Sequence, residues 1–210
     1  MNEDNFKVEC CKLGDENILG KFMKMRIISG EFGGRWINVP QSKLIRPTTD
    51  RVRETLFNIL NNLIDFDGIR VLDIYAGSGS LGLECLSRGA ASVDFVEKNF
   101  VIYKTLEENI KSLSAEDACR VFKTDAISLS SVKRDRQYDL ILADPPFFKD
   151  DIYQVVNNIF ANNFLSEDGV MVIERSKKTR AEDEINFKVE VFRVIGDSCL
   201  YRFMGEWVNG

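Results

Sequence analysis

The apolar run Asp139-Leu140-Ile141-Leu142-Ala143 leads directly into Asp144-Pro145-Pro146-Phe147. Each proline fixes φ and removes a donor, so a buried strand ending this way presents a carboxylate and a rigid, outward-turned carbonyl. Two acceptors then face one amine. An aromatic amine is a poor nucleophile because its lone pair is delocalised into the ring. Hydrogen bonds from its two N–H groups to the Asp144 carboxylate and the Pro145 carbonyl orient it and favour the tetrahedral nitrogen that develops as it attacks a methyl group. Asp144 has to be ionised to accept such a bond; whether it or water takes the released proton is left open. Phe147 supplies a ring on which a base splayed out of its surroundings stacks. The competing reading is a plain Pro-Pro turn with an exposed Asp, and the position at a strand end weighs against it.

A second string, Val71-Leu72-Asp73-Ile74-Tyr75-Ala76-Gly77-Ser78-Gly79-Ser80-Leu81-Gly82, reads as a strand, a glycine turn and a helix start. Glycines let the backbone approach a ligand closely, and a helix N-terminus favours partial negative charge. A dinucleotide fits such a loop as well. Asp73 tips the balance, because a carboxylate there repels a pyrophosphate yet suits the ammonium- and sulfonium-bearing methionine part of S-adenosyl-L-methionine. The next strand ends in Glu97, followed by Lys98. An acid about 20 residues beyond the loop accepts hydrogen bonds from both ribose hydroxyls. Asp125 and Ala126 follow a third strand, where Asp125 either meets the adenine amine or caps the short helix after it. The cofactor set is therefore Asp73, Tyr75, Ala76, Gly77, Ser78, Gly79, Glu97, Lys98, Asp125 and Ala126. No metal is expected.

These groups need strand ends on one edge of a sheet. From Ile69 onward, short apolar runs alternate with amphipathic segments. Strands are predicted over 69–74, 92–96, 120–123, 138–143 and 170–173, and helices over 80–87, 101–113 and 152–160. Alternation of this kind means βαβ units, right-handed crossovers and a parallel sheet. Phe187 to Ile195 and Cys199 to Phe203 flank Gly196-Asp197-Ser198, a hairpin signal. The fold class is thus α/β, in outline a class I S-adenosylmethionine-dependent methyltransferase: Rossmann-like, with a mostly parallel seven-stranded sheet and a C-terminal antiparallel hairpin. Arg26 to Val39 reads as an additional N-terminal β-hairpin around Gly30 to Gly34. Thr48-Thr49-Asp50 supplies N-cap chemistry for a helix of about four turns carrying Val52, Leu56, Ile59, Leu60 and Leu63 on its apolar stripe. Residues 1–24 are polar and aperiodic and are expected to form a disordered extension. The organisation is then that extension, an appendage over 25–66, and a methyltransferase domain over 67–210.

With 210 residues, 44% of them hydrophobic, the chain suffices for one substantial core. It has neither a membrane-length apolar stretch nor the apolar centre of a signal peptide, which points to the cytoplasm. The five cysteines (Cys10, Cys11, Cys85, Cys119, Cys199) lack CxxC spacing and read as reduced and structural. The absence of histidine removes the usual general base of hydrolases. The net charge of -5 argues against nonspecific coating of nucleic acid. Yet Arg26 to Glu54 holds six basic residues (Arg26, Arg35, Lys43, Arg46, Arg51, Arg53) against three acidic ones, a cationic patch on an acidic body.

Together these strings resemble the bacterial small-subunit ribosomal RNA guanine-N2 methyltransferases often called RsmD. The resemblance runs from Met25 to Phe203. It is carried by Arg26-Ile27-Ile28-Ser29-Gly30 with Gly34-Arg35, by Arg46-Pro47-Thr48-Thr49-Asp50-Arg51-Val52-Arg53-Glu54-Thr55-Leu56-Phe57, by the glycine loop through Glu84, and by Asp144-Pro145-Pro146-Phe147. The second string is the most distinctive. The resemblance implies methylation of one guanine of 16S ribosomal RNA on an assembled or nearly assembled small subunit; a monomer is expected. It also implies that the N-terminal hairpin and the Arg46 to Arg53 segment hold RNA, which makes Arg26, Arg35, Arg46, Thr48, Arg51 and Arg53 the RNA-binding set. For Arg51 and Arg53, an ion pair with Asp50 or Glu54 on the helix surface is an equal reading. A DNA adenine-N6 or protein glutamine-N5 methyltransferase would use the same amine geometry, usually with Asn-Pro-Pro-Tyr. A catalytically idle assembly factor and a nucleotide-dependent dehydrogenase are the readings from other classes.

Overall fold

The computed structural model describes residues 22–40, 50–131, 137–146 and 151–205, and of Asp50, Arg51, Ser130 and Ser131 it describes the backbone alone. The elements in chain order are β1 (Phe22–Arg26), β2 (Trp36–Pro40), α1 (Asp50–Leu60), β3 (Arg70–Ile74), α2 (Ser80–Ser87), β4 (Ser92–Val96), α3 (Phe100–Leu113), β5 (Cys119–Phe122), β6 (Tyr138–Ala143), α4 (Asp151–Ala161), β7 (Leu165–Ser176), α5 (Arg180–Phe187), β8 (Arg193–Ile195) and β9 (Ser198–Met204). Strands β5-β4-β3-β6-β7-β9-β8 form one seven-stranded sheet, and β1 and β2 pair separately. Only β9 runs against its neighbours, antiparallel to both β7 and β8. The mostly parallel sheet and the closing antiparallel hairpin are those the alternating pattern predicts.

Both faces of the sheet are covered, which is why its strands are apolar without a break rather than alternating. Val71, Val93, Phe95, Leu140, Leu142, Val170 and Val172 pack on one side with residues of α1, α2 and α3. Their neighbours Leu72, Ile74, Val96, Ile141, Ala143, Met171 and Ile173 pack on the other with Ile152, Val155, Val156 and Ile159 of α4. Met25, Ile27, Ile37 and Val39 of the hairpin belong to the first cluster. The hairpin and α1 therefore share the core of the sheet, so residue 66 is not a boundary between cores.

Three expectations need correction. The extension expected to reach residue 24 overlaps β1, because Phe22, Met23 and Lys24 pair with Pro40, Val39 and Asn38. The described part of α1 has 11 residues, three turns rather than four. The stretch read as a strand from Phe187 to Ile195 instead begins at the end of α5, and the strand itself keeps only Arg193 to Ile195. The Thr48-Thr49 cap lies outside the described residues.

Two buried polar clusters pin the elements around the sheet. Glu84, fully buried on α2, accepts from the backbone N–H of Ile28 (2.7 Å) and Ser29 (3.1 Å) and pairs with Arg88, which fastens the hairpin turn to α2. Asp183 of α5, also fully buried, accepts from Arg175 Nε (3.0 Å), Tyr153 Oη (2.8 Å) and Thr179 Oγ1 (2.6 Å). Arg175 is the last residue but one of β7 and Tyr153 sits in the first turn of α4, so one carboxylate ties three elements together beside the end of β6.

Candidate active site

In the β3–β6 ladder Ile74 stands opposite Ala143, so Tyr75 and Asp144 leave the carboxyl ends of adjacent parallel strands. The strand order turns back at this point, β4 lying on one side of β3 and β6 on the other, and such a crevice is where open α/β sheets bind ligands. The two strings singled out in the sequence, the glycine loop and the Asp-Pro-Pro segment, thus meet.

The loop is held in an unusual backbone path. Tyr75, Gly77 and Gly79 all have positive φ, at 61°, 57° and 83°. A non-glycine residue in this region is strained, and such strain persists only where surrounding contacts enforce it. Here Ala76 N donates to Val96 O (3.0 Å), Gly77 N to Glu97 Oε2 (3.1 Å) and Gly82 N to Asp73 Oδ2 (2.9 Å). At Gly77 an added Cβ would meet only Tyr75 O, at 3.9 Å, so the outer side of the loop is open to a ligand. At Gly79, which caps α2, it would lie 2.4 Å from Leu106 Cδ1, so the inner side is closed by core.

Each acidic residue of the predicted set has a structural partner. Asp73 is 1% exposed and accepts from the Gly82 amide, so it supports the loop from below. Burial raises its carboxyl to about 7, against the pull of the Gly82 N–H and with a further push from Glu97. Glu97, 9% exposed, accepts from Asn99 N (2.7 Å) on one oxygen and from Gly77 N on the other, leaving lone pairs for further donors. Asp125 caps the turn after β5 by accepting from Ile127 N (3.1 Å), and its other oxygen pairs with Lys98 Nζ (3.1 Å). The capping alternative at Asp125 is thus realised, together with an ion pair to Lys98. Ala76, Ser78 and Ala126 are buried; Tyr75 is half-buried. Burial, then the neighbouring Asp151 charge at the start of α4, holds the Tyr75 phenol above its ordinary range and so protonated. Asp144 is half-buried, Pro145 buried and Pro146 exposed; Phe147 lies outside the described residues.

The predicted RNA-binding set is only partly on the surface. Arg53 is 1% exposed, and its Nη2 donates to Arg26 O at 2.6 Å. It is a buried strut behind β1 and not a surface contact, a correction to its place in the RNA-binding set. Its position beside Leu56, Phe57 and Leu60 on the buried face of α1 is the signal that separates it from surface cations. Arg35 is exposed, but its guanidinium donates to the carbonyls of Ser112 and Leu113, capping the end of α3, so its charge is already engaged. Arg26 is exposed. Arg46 and Thr48 lie outside the described residues, as does the side chain of Arg51.

Sequence reasoning missed Asn109. Buried to 1%, it accepts from Asn38 N (2.8 Å) and donates to both Asn38 O (2.9 Å) and Ser78 O (2.9 Å), joining the hairpin to the glycine loop through α3. The available signal was a polar residue among Thr105, Leu106, Ile110 and Leu113, at core spacing on the helix.

A sheet of this order with its antiparallel β9, a glycine loop backed by acids on two strand ends, and Asp-Pro-Pro on the adjoining strand define a class I methyltransferase. The family model described as "Conserved hypothetical protein 95" matches residues 25–203. The chain belongs to that family, the one its resemblance to the small-subunit methyltransferases D pointed to. "Ribosomal RNA small subunit methyltransferase D" of Escherichia coli (strain K12) is 38% identical over 151 residues, 72% of this chain and 74% of its own. "Putative rRNA methyltransferase YlbH" of Bacillus subtilis (strain 168) is 34% identical over 180 residues, 85% of this chain and 91% of its own. Among solved structures, "Putative methyltransferase yhhF from Escherichia coli" superposes with a TM-score of 0.71 at 30% identity, covering 87% of this chain and 98% of its own. A Thermus thermophilus 16S rRNA N2 G1207 methyltransferase, solved with AdoMet and guanosine, shares the fold at a TM-score of 0.65 and 20% identity, over 88% of this chain and 50% of its own.

Proposed function

We propose that this methyltransferase acts in the cytoplasm as a monomer, transferring a methyl group from S-adenosyl-L-methionine to the exocyclic N2 amine of a guanine in 16S ribosomal RNA of an assembled or nearly assembled small subunit. The observation that carries the reading is the Ile74–Ala143 pairing, which sets a cofactor loop and an amine-orienting Asp-Pro-Pro side by side. The names of its relatives supply the RNA.

The residues present fit the cofactor. The open side of Gly77, the free lone pairs of Glu97 and the Lys98–Asp125 pair at the next strand end form a cradle along Tyr75 to Gly79, with Ala126 beyond it. S-adenosyl-L-methionine, when bound, supplies an electrophilic methyl group on a sulfonium centre. Asp144 and the Pro145 carbonyl accept the two N–H bonds of the target amine and aim its lone pair, Pro146 keeps the turn rigid, and Phe147 stacks on the base. The proton released on methylation leaves for Asp144 or water. Residues 25–66 supply RNA contacts through Arg26, Arg46, Thr48 and Arg51.

The test is transfer of labelled methyl to small subunits from a strain lacking the modification, with free ribosomal RNA, DNA and protein as controls, followed by nucleoside analysis. N2-methylguanosine made on subunits is expected. Label in adenine or protein would overturn the assignment.

Asp73 adds a pH signature. With its carboxyl raised to about 7, this group favours the fold fully when protonated, and that contribution is lost as pH rises from the ordinary carboxylate range through about 7. A cationic ligand nearby favours the ionised form, so binding releases a proton in that window. Calorimetry should show affinity for S-adenosyl-L-methionine rising between about pH 5 and 7 and levelling above, with the slope absent in Asp73→Asn. A flat profile in the wild type would remove Asp73 from cofactor recognition.

A further inference from the structure

We infer that the outer face of the β1–β2 hairpin is a stacking platform for unpaired nucleotides, with Trp36 and Phe22 receiving bases and Lys24 and Arg26 receiving phosphates. The inference rests on the RNA reading above and specifies how the strand is gripped.

Side chains alternate across a strand, and one face of this hairpin, through Met25, Ile37 and Val39, is in the core. The opposite face carries Phe22, Lys24 and Arg26 from β1 and Trp36, Asn38 and Pro40 from β2. Phe22 is 42% exposed and Trp36 58%, the largest exposure of any described aromatic. The register sets Arg26 opposite Trp36 and Lys24 opposite Asn38, so cations and rings interleave, and neither strand contains an acid. On a protein of net charge -5, two cations and two uncovered rings on one acid-free face are complementary to a polyanion with exposed bases. A duplex keeps its bases stacked on one another and offers these rings nothing, whereas a single strand offers a π-face at every nucleotide.

The face is also held in place for such work. Arg53 grips the Arg26 carbonyl from behind, and Asn109 links Asn38, between Trp36 and Pro40, to Ser78 of the glycine loop. The platform is therefore fixed with respect to the cofactor loop, as a device that presents the flank of a target has to be.

Trp36 and Trp207 are the two tryptophans, so in the full-length Trp207→Phe chain Trp36 alone reports. Titration with a single-stranded oligoribonucleotide of about a dozen nucleotides should quench that fluorescence, and the same strand annealed to its complement should not. Trp36→Ala should weaken oligonucleotide binding about tenfold or more and raise KM for small subunits, while Trp36→Phe restores most of the affinity. Because Trp36 is exposed, neither variant removes core contacts. Equal affinity of Trp36→Ala and wild type, or equal quenching by the duplex, overturns the platform. So does self-association of the chain that Trp36→Ala abolishes without change in RNA affinity, since the face would then serve a second copy. In each of those cases, N2-methylguanosine made by the wild type on subunits leaves the RNA reading standing; a wild type that methylates no RNA sinks that reading and the platform with it.

Discussion

Asp144→Ala should retain S-adenosyl-L-methionine binding and lose methyl transfer by about a hundred- to a thousandfold in kcat. The side chain lies just past the end of β6, one position beyond the last ladder pair at Ala143, so the strand pairing persists without it. On the proposed reading, what is lost is one of the two acceptors that aim the amine. Asp144→Asn separates geometry from charge: it keeps one acceptor oxygen, and activity between that of wild type and Asp144→Ala is expected. Single-turnover transfer to subunits, with cofactor affinity measured in parallel, checks both. A full-rate Asp144→Ala would mean that the carboxylate is not part of the chemistry and would favour a role in subunit assembly without catalysis.

Asp183→Ala should lower stability by about 3–5 kcal/mol, the largest effect expected from any single truncation outside the site. Three donors converge on this carboxylate, and both it and Arg175 are enclosed, with side-chain exposures of 0% and 1%. Removing Asp183 takes a fully buried carboxylate away from a buried guanidinium, and the Tyr153 and Thr179 hydroxyls lose their acceptor. Tyr153→Phe deletes one hydrogen bond, leaves the charge pair intact and is expected to cost about 1 kcal/mol. Urea unfolding midpoints measure the difference, with unchanged slopes showing that the same surface is exposed. A cost near that of Tyr153→Phe for both variants would show that the pair is not what fastens α5 and the start of α4 to β7.

Much of the sheet was legible because its strands are short, apolar and separated by amphipathic helices. The boundaries 92–96 and 138–143 coincide with those observed, and 80–87 does so for α2. The order of strands was not in the pattern, since periodicity says which residues are buried and nothing about which strand lies beside which. Helix α5 escaped notice because Arg180 to Phe187 buries only Asp183 and Phe187, too little apolar surface to mark a helical face. Its long-range partners, Arg175 and Tyr153, hold it in place. The candidate site was legible as two strings, and their meeting follows from β3 and β6 being neighbours, a fact of topology. The basic segment misled in a different way. A run of arginines looks alike whether its members face water or brace a backbone carbonyl, and Arg53 does the second.

Asn109 spends both of its amide hydrogens at once, one on Asn38 and one on Ser78, with no water-exposed alternative for either. The hairpin cannot tilt away from α3 without loosening the glycine loop proposed to hold the methyl donor, and that loop cannot shift without tugging on the hairpin. Linkage makes such a connection reciprocal: whatever affinity for RNA is gained when the donor occupies its cradle, the donor gains equally when RNA is seated. On the proposed reading, the two sites are then coupled by one factor that acts equally in both directions.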